Sequence, residues 1–383
     1  MSNKKSPINI YAISLNLLCN MAGDENYLSF VSIASYVKYM GYTHVLLLNT
    51  ESSSLFKEMY LKLLDCFVEA MHEQGICVIY ELSEEDLTDE HLIIRLKEIS
   101  IGEGKTDGVY FNRPLLDNVS KKSLRNLNDK IHSEFPQLIS VTGSCFNEFT
   151  DKYAFDLIID MSAYDTALDY LTEDPIFRRF KQNSFDTTVL LPNIGNRILP
   201  LAPISQTYQS KTAIHDIFGN REDKLRQLRA LNLLFYTLPG ITLTPMGAEF
   251  ASPYALNSDL SLLDNTQNQD FRSYMRELNY FYLKEAVLWD RNEQNSLSFY
   301  DGYDKNKNVI AFKRRSEGKE IAVIINFSGI AQIIELAEDG IFECAFSSEP
   351  SNKELNIENK GNGFYSVTLP EFFGTVIKIK NII

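Results

Sequence analysis

Apolar positions along the first two thirds of the chain switch repeatedly between a helical and an extended pattern. Ile8–Leu15 is apolar and β-prone and reads as a first strand. Over Tyr27–Met40, residues Phe30, Ile33, Ala34, Val37 and Met40 fall on one helical face, and Gly41 stands where a left-handed cap would end that helix. Thr43–Leu48 follows as a continuous apolar run, the pattern of a strand buried on both faces of a parallel sheet. The cycle recurs in Phe56–Gln74, whose Leu64, Phe67, Val68 and Met71 share a face, then Gly75, then the strand Ile76–Leu82. Further helices are expected at Asp89–Ile99, Lys121–Phe135, Ala163–Phe180 and Asp223–Tyr236. Further strands are expected at Gly108–Phe111, Leu138–Thr142, Phe155–Ile159, Thr187–Leu191 and Ile241–Pro245. Parallel strands near residues 10, 45, 78, 109, 140, 157, 189 and 243 imply an α/β fold, a (β/α)₈ TIM barrel. Catalytic groups in such a barrel sit at the carboxyl ends of the strands, so the residues just after each strand matter most for function.

The pattern changes after a last helix at Tyr274–Trp289. Leu297–Tyr300, Val309–Arg314, Ile321–Phe327, Gln332–Leu336, Phe342–Ala345, Phe364–Leu369 and Gly374–Ile379 are short strands separated by turns. They predict a C-terminal antiparallel β-sandwich domain over 295–383, after a barrel over 1–290, with Trp289 packed at the junction.

Composition narrows the functional classes. The 383 residues are 44% hydrophobic, enough for a large core, and carry a formal net charge of −14. That charge argues against nucleic acid or an anionic membrane as partner. Cys19, Cys66, Cys77, Cys145 and Cys344 have no CxxC or zinc-ligand spacing and read as thiols in a reducing compartment. The histidines also lack metal spacing, so no metal or cofactor is expected. With no signal-peptide pattern and no long apolar run, a cytoplasmic location is expected.

Several stretches carry a family resemblance. Lys224–Ala251 and Asp165–Lys181 closely resemble bacterial 1,4-α-glucan branching enzymes of the α-amylase superfamily, glycoside hydrolase family 13. Tyr39–Leu48 is similar to the family's second barrel strand, Gly75–Glu81 to its third, and Ile321–Phe327 to a strand of its C-terminal domain. The match runs from about residue 8 to 380. Two parts of the family plan are expected to be missing: an N-terminal carbohydrate-binding β-sandwich and the subdomain usually inserted after the third strand.

The resemblance implies a retaining mechanism with an Asp nucleophile, a Glu acid/base and a second Asp, the first two carboxyl groups about 5 Å apart. The fourth-strand motif reads Asp107-Gly108-Val109-Tyr110-Phe111-Asn112, so Asn112 stands at the nucleophile and Tyr110 at the arginine beside it. The acid/base position falls at Gly143. After the expected seventh strand, Ile194 and Gly195 take the places of a His-Asp pair. An amide is a poor nucleophile and glycine cannot transfer a proton. The expectation is a catalytically degenerate chain that binds an α-glucan or maltooligosaccharide, or associates with a protein. Tyr110, Asn112, Asn193, Asn196 and Arg197 are candidates for a neutral sugar-binding cup; the competing reading has them collapse and close the pocket. Glu81 and Glu249 are candidate surviving carboxylates, each weighed against a structural role. They keep open an active enzyme with relocated carboxylates, and a non-catalytic subunit of a glucan enzyme is the third reading.

Overall fold

The computed structural model describes residues 6–14, 26–48, 57–82, 94, 96–99, 105–112, 121–144, 155–192, 195–204, 211–256, 268–290, 296–300, 307–338, 341–349 and 355–380. Eight parallel strands close into a barrel in sequence order: β1 (Asn9–Ser14), β2 (His44–Leu48), β3 (Cys77–Glu81), β4 (Gly108–Phe111), β5 (Ile139–Ser144), β6 (Leu157–Asp160), β7 (Arg197–Pro200) and β8 (Ile241–Pro245). The helices used below are α1 (Asn26–Tyr39), α2 (Lys57–Glu73), α3 (Lys121–Glu134), α4 (Met161–Thr172), α5 (Arg221–Thr237), α6 (Gln269–Lys284) and α7 (Ala286–Trp289). Gly41 and Gly75 end α1 and α2 with φ of 85° and 70°. In each case the next residue's N–H reaches back to the carbonyl five residues earlier, Tyr42 to Val37 and Ile76 to Met71, which satisfies the frayed end and turns the chain into the next strand.

Side chains alternate across the barrel wall. Ile10, Leu46, Ile79, Tyr110, Val141, Ile159, Ile198 and Leu243 point inward and form one buried cluster. Their neighbours Tyr11, Val45, Leu47, Val78, Tyr80, Val109, Phe111 and Leu199 point outward into the helix layer. Both faces are buried, which is why these strands read as unbroken apolar runs.

One strand departs from the sequence expectation. Thr187–Leu191 is not the seventh strand: Asp186–Leu190 is a π-helical stretch continuing the helix Gln182–Phe185. The strand is Arg197–Pro200, paired with β6 through Ile158–Arg197 and with β8 through Ile198–Ile241. β-branched residues misled the reading, because burial of Val189 and Leu190 under the barrel outweighs the weak extended preference of Thr187, Thr188 and Val189. The expected helix Ala163–Phe180 likewise ends at Thr172, and Pro175 opens a separate turn.

The C-terminal strands form a five-stranded sheet, ordered β13-β16-β11-β10-β9, and a three-stranded sheet, β12-β15-β14. They are β9 (Leu297–Phe299), β10 (Val309–Ser316), β11 (Lys319–Asn326), β12 (Gln332–Ala337), β13 (Ile341–Ser347), β14 (Asn356–Gly361), β15 (Phe364–Leu369) and β16 (Phe373–Lys380). β14 escaped the sequence reading because its residues are mostly polar and exposed. The space between the two sheets is filled by Val309, Ala322, Ile324, Val367 and Ile377.

The opposite face of the five-stranded sheet joins the barrel's core. Phe312, Val323, Ile325 and Val376 belong to the same buried cluster as α5 and the barrel's outward residues. α5 lies between them, and from Ala230 to Thr237 every residue is buried, so its second half is buried all round instead of along one stripe. Trp289 is half-buried on this junction, its indole N–H donating to the Leu283 carbonyl at 3.3 Å. Two buried arginines tie the seam. Arg178 donates to the carbonyls of Phe327 (2.6 Å) and Leu171 (3.1 Å), and Arg314 to those of Thr237 (2.7 Å) and Val287 (3.1 Å). Burial brings each guanidinium down to about 10, still charged at neutral pH.

A shared core predicts shared unfolding. Leu233 on α5 is fully buried, and its Cδ2 lies 3.0 Å from where a Cβ on Gly374 of β16 would sit. Leu233→Ala should cost about 3 kcal/mol and lower the urea midpoint in one transition, followed by Trp289 fluorescence and far-UV circular dichroism together. Two separated transitions would show that barrel and β-domain unfold independently.

Candidate functional site

The carboxyl ends of β3, β4 and β5 bring together Glu81, Tyr110, Asn112 and Gly143. Register places Glu81 of β3 opposite Tyr110 of β4, and Tyr110 opposite Val141 of β5, two residues before Gly143. Alternation from Ile79 and Val141 turns Glu81 and Gly143 inward. Glu81 and Tyr110 are both buried, at 1% and 2% exposure. Burial, followed by the nearby Glu81 charge, pushes the Tyr110 phenol far above its ordinary range, so it stays neutral and is no nucleophile at physiological pH. Asn112 is half-buried one residue past β4. Gly143 is buried and adds no functional group.

Correcting β7 moves the expected third position. Gly195 and Asn196 come before β7, at the amino end of the barrel, and the Asn196 carbonyl accepts from Ile158 N–H at 3.0 Å. They stand at the opposite end of the strands from Asn112. Ile194 and Asn193 lie outside the described residues. The residues after the true seventh strand are Leu201, Ala202, Pro203 and Ile204, none of which carries a carboxylate or imidazole. Ile204 instead packs onto the inward cluster, as does the half-buried Leu256 that follows β8.

Arg197 is also displaced from the expected cup. It points outward, 1% exposed, and donates to Asp160 Oδ2 at 2.7 Å and to the carbonyls of Val189 (3.1 Å) and Thr188 (2.6 Å). Asp160 in turn caps α4, accepting from Ala163 N–H and the Ser162 hydroxyl. This buried ion pair fastens β6, β7 and the π-helical stretch, and sequence reasoning missed it. An Asp immediately before the helix Met161–Thr172 was the available signal.

Glu249 is on the outer side of the barrel wall as well. It follows β8 in a single 3₁₀ turn, and its Oε1 accepts from Tyr11 OH (2.5 Å) and Tyr36 OH (3.2 Å) while Oε2 accepts from Gly247 N–H (2.8 Å). Tyr11 faces the helix layer and Tyr36 is on α1, so Glu249 binds β1, β8 and α1 together. Glu81 and Glu249 therefore do not face one pocket, and the relocated pair suggested by the sequence is not formed. Among the described residues, Glu81 is the one carboxylate turned into the barrel at the strand tips, and no group of three or more His, Cys, Asp or Glu could hold a metal ion. Cys66, Cys77 and Cys344 are free thiols; Cys19 and Cys145 lie outside the described residues.

Residues 299–380 match the family model of the alpha amylase C-terminal all-beta domain. The chain is 28% identical over 254 residues to the 1,4-alpha-glucan branching enzyme of Lactobacillus acidophilus, covering 63% of this chain and 39% of that protein. It is 28% identical over 281 residues to the one from Fusobacterium nucleatum, covering 67% and 46%. The chain thus spans less than half the length of these relatives. The alpha-amylase of Geobacillus thermoleovorans, complexed with acarbose, superposes with a TM-score of 0.71 at 15% identity over 98% of this chain and 99% of that one. The alpha-amylase of H. orenii superposes with a TM-score of 0.68, also at 15% identity. The architecture is that of the α-amylases, a barrel followed by an all-β domain. In sequence the chain is similar to 1,4-alpha-glucan branching enzymes over its barrel, and to the alpha amylase C-terminal domain over residues 299–380. No helix among the described residues is long and apolar enough to cross a membrane.

Glu249 makes the protein's stability depend on pH. Burial raises its carboxyl to about 7 against the pull of its Tyr11, backbone and Tyr36 donors. The folded state therefore holds this proton more tightly than the unfolded chain. The resulting stabilisation is complete below about 4.5 and is lost as pH rises through about 7, on the order of 3 kcal/mol in all. His72, whose proton is held by Asp107 at 2.8 Å, adds a slope of the same sign. Urea midpoints measured from pH 5 to 8 should fall, and Glu249→Gln should remove most of the fall whatever its effect on absolute stability. An unchanged slope in that variant would assign the pH dependence elsewhere.

Proposed function

We propose that this branching-enzyme-like chain recognises an α-glucan without turning it over. One observation carries the reading: the inward positions at the tips of β4, β5 and β7 hold an amide, a hydrogen and aliphatic groups, with Glu81 as the lone inward carboxylate among the described residues. Retaining chemistry on a glycoside needs two carboxyl groups across one anomeric carbon. A single buried carboxylate can neither attack and protonate in the same step nor accept the sugar while the leaving group is protonated. Loss of the nucleophile and of the acid/base each removes at least ~10²–10⁴-fold in rate. Tyr110 and the aliphatic side chains fill the barrel beneath the tips, so a glucan would rest on the mouth instead of entering it.

Support for a glucan ligand comes from the relatives, whose names state action on 1,4-α-glucan, and from the amylase fold neighbour complexed with acarbose. Asn112, half-buried at the mouth, offers a neutral donor and acceptor suited to sugar hydroxyls.

The purified chain should neither branch nor hydrolyse amylose, while maltoheptaose titrated in a calorimeter should give a saturable signal. Asn112→Asp alone should leave turnover undetectable, because the acid/base is still missing. Turnover abolished by Glu81→Gln in a correctly folded protein would instead establish an enzyme with relocated chemistry. Absence of any heat with maltoheptaose would remove the glucan from the proposal.

A further inference from the structure

The chain after β8 forms a flap on the barrel mouth. It passes through the 3₁₀ turn Ala248–Phe250 and returns to the rim at Leu256, whose N–H donates to the Met246 carbonyl at 2.8 Å. The turn straddles the rim. Ala248 packs with Ala202, Ala255 and Leu256, and Leu256 rests on the inward cluster of the barrel. The next residue in the turn, Glu249, reaches into the helix layer instead, to Tyr11 and Tyr36. The far edge of the flap is fastened to Thr212, whose N–H donates to the Pro253 carbonyl at 3.0 Å and whose hydroxyl donates to the Ser252 carbonyl. The near edge is held by the Glu249 carboxylate, through Tyr11 OH, Tyr36 OH and Gly247 N–H.

That near-edge hold depends on charge. Glu249 is fully buried, its three donors are all neutral, and among the described residues no cation pairs with it. The titratable and charged groups around it are Tyr11 on β1, Tyr36 on α1, Tyr42 ahead of β2 and, beyond Tyr36, Arg272 on α6. Burial pushes the three phenols far above their ordinary range, and a guanidinium is charged at every pH in question, so Glu249 alone changes charge near neutrality. Once ionised, it is a buried charge without a counter-ion, which neutral hydrogen bonds offset only in part. The smallest movement that hydrates it is a lift of the near edge, which breaks the bonds closing the turn and leaves the core intact. The backbone there favours such a lift. Ala251 and Leu256 hold the left-handed region with φ of 51° and 53°, a conformation that residues with a Cβ leave readily, and Gly247, with φ of 98°, supplies a free hinge.

We propose that the Gly247–Leu256 flap is a proton-operated cover on the barrel mouth, closed while Glu249 keeps its proton and lifted when Glu249 ionises. The sign follows from the two environments. In the closed flap burial raises the carboxyl to about 7, whereas hydrated in the open flap it returns to its ordinary value of 4.5. The preference for the closed form is therefore complete below about 4.5, falls about tenfold per pH unit above that, and is constant beyond about 7, roughly 300-fold in all. The inference does not depend on whether the mouth binds or processes a glucan.

Hydrogen exchange of the full chain from pH 5 to 8, read by mass spectrometry on peptides covering the flap and expressed relative to the intrinsic rate at each pH, tests it. Protection of the flap amides should fall on the order of 50- to 100-fold over this range and level off above about 7. Addition of 1 M urea should leave flap exchange unchanged, because lifting the flap exposes little surface, while exchange by global unfolding accelerates. Glu249→Gln should make flap protection independent of pH. Tyr36→Phe removes one donor from the ionised carboxylate, so its levelling point should move to higher pH. A flat profile in the wild-type chain, the same slope in Glu249→Gln, or flap amides that speed up in urea together with those of β10 and β11 would each overturn the proposal. If Glu249→Gln does not fold, Tyr36→Phe decides alone, and a levelling point that stays in place overturns it.

Discussion

Closure of eight strands into a barrel forces each residue to face either the interior or the helix layer, and that choice decides what every polar group near the strand ends can do. Glu81 faces inward and so stands at the mouth. Asp160, Arg197 and Glu249 face outward, where each is consumed in holding strands to helices. A carboxylate on the outer side of the wall cannot reach a substrate at the mouth, however close it is along the chain. The chemistry available is therefore set by the parity of a few positions, and by parity only Glu81 remains as an inward acid among the described residues.

The second constraint is the core shared across the seam. The second half of α5 is buried between the barrel and the five-stranded sheet, and the seam is crossed by Arg178, which reaches the Phe327 carbonyl, and by Arg314, which reaches the carbonyl of Thr237 at the end of α5. Among the described residues each arginine donates to neutral acceptors, and its desolvation is offset by several directed hydrogen bonds. Surface pairs add to the seam, Arg229 with Glu349 at 3.1 Å and Lys378 with Glu285.

Much of this was legible in the sequence. Seven of the eight strands fell where apolar runs placed them, and the glycine caps at Gly41 and Gly75 are formed by the expected backbone bonds. The seventh strand was misplaced because Thr187–Leu191 and Arg197–Leu201 are both short and apolar, and only tertiary burial distinguishes them. That single shift carried Gly195, Asn196 and Arg197 to the wrong end of the barrel. β14 went unseen because a polar edge strand has no apolar alternation to reveal it. The buried pair of Asp160 and Arg197 could not be read because its partners are 37 residues apart and meet only when β6 and β7 align. Asn112 and Gly143, by contrast, lie at the tips of β4 and β5, where motifs local to one strand placed them.

On the proposed reading, no pair of carboxylates among the described residues at the strand tips is placed to form and release a glycosyl ester. Incubation with an activated α-glucosyl fluoride that slows release of the sugar, followed by intact-protein mass spectrometry, tests it without relying on turnover. An unmodified mass is expected at every time point. A single glycosyl adduct, above all one mapping to the peptide that contains Glu81, would contradict it.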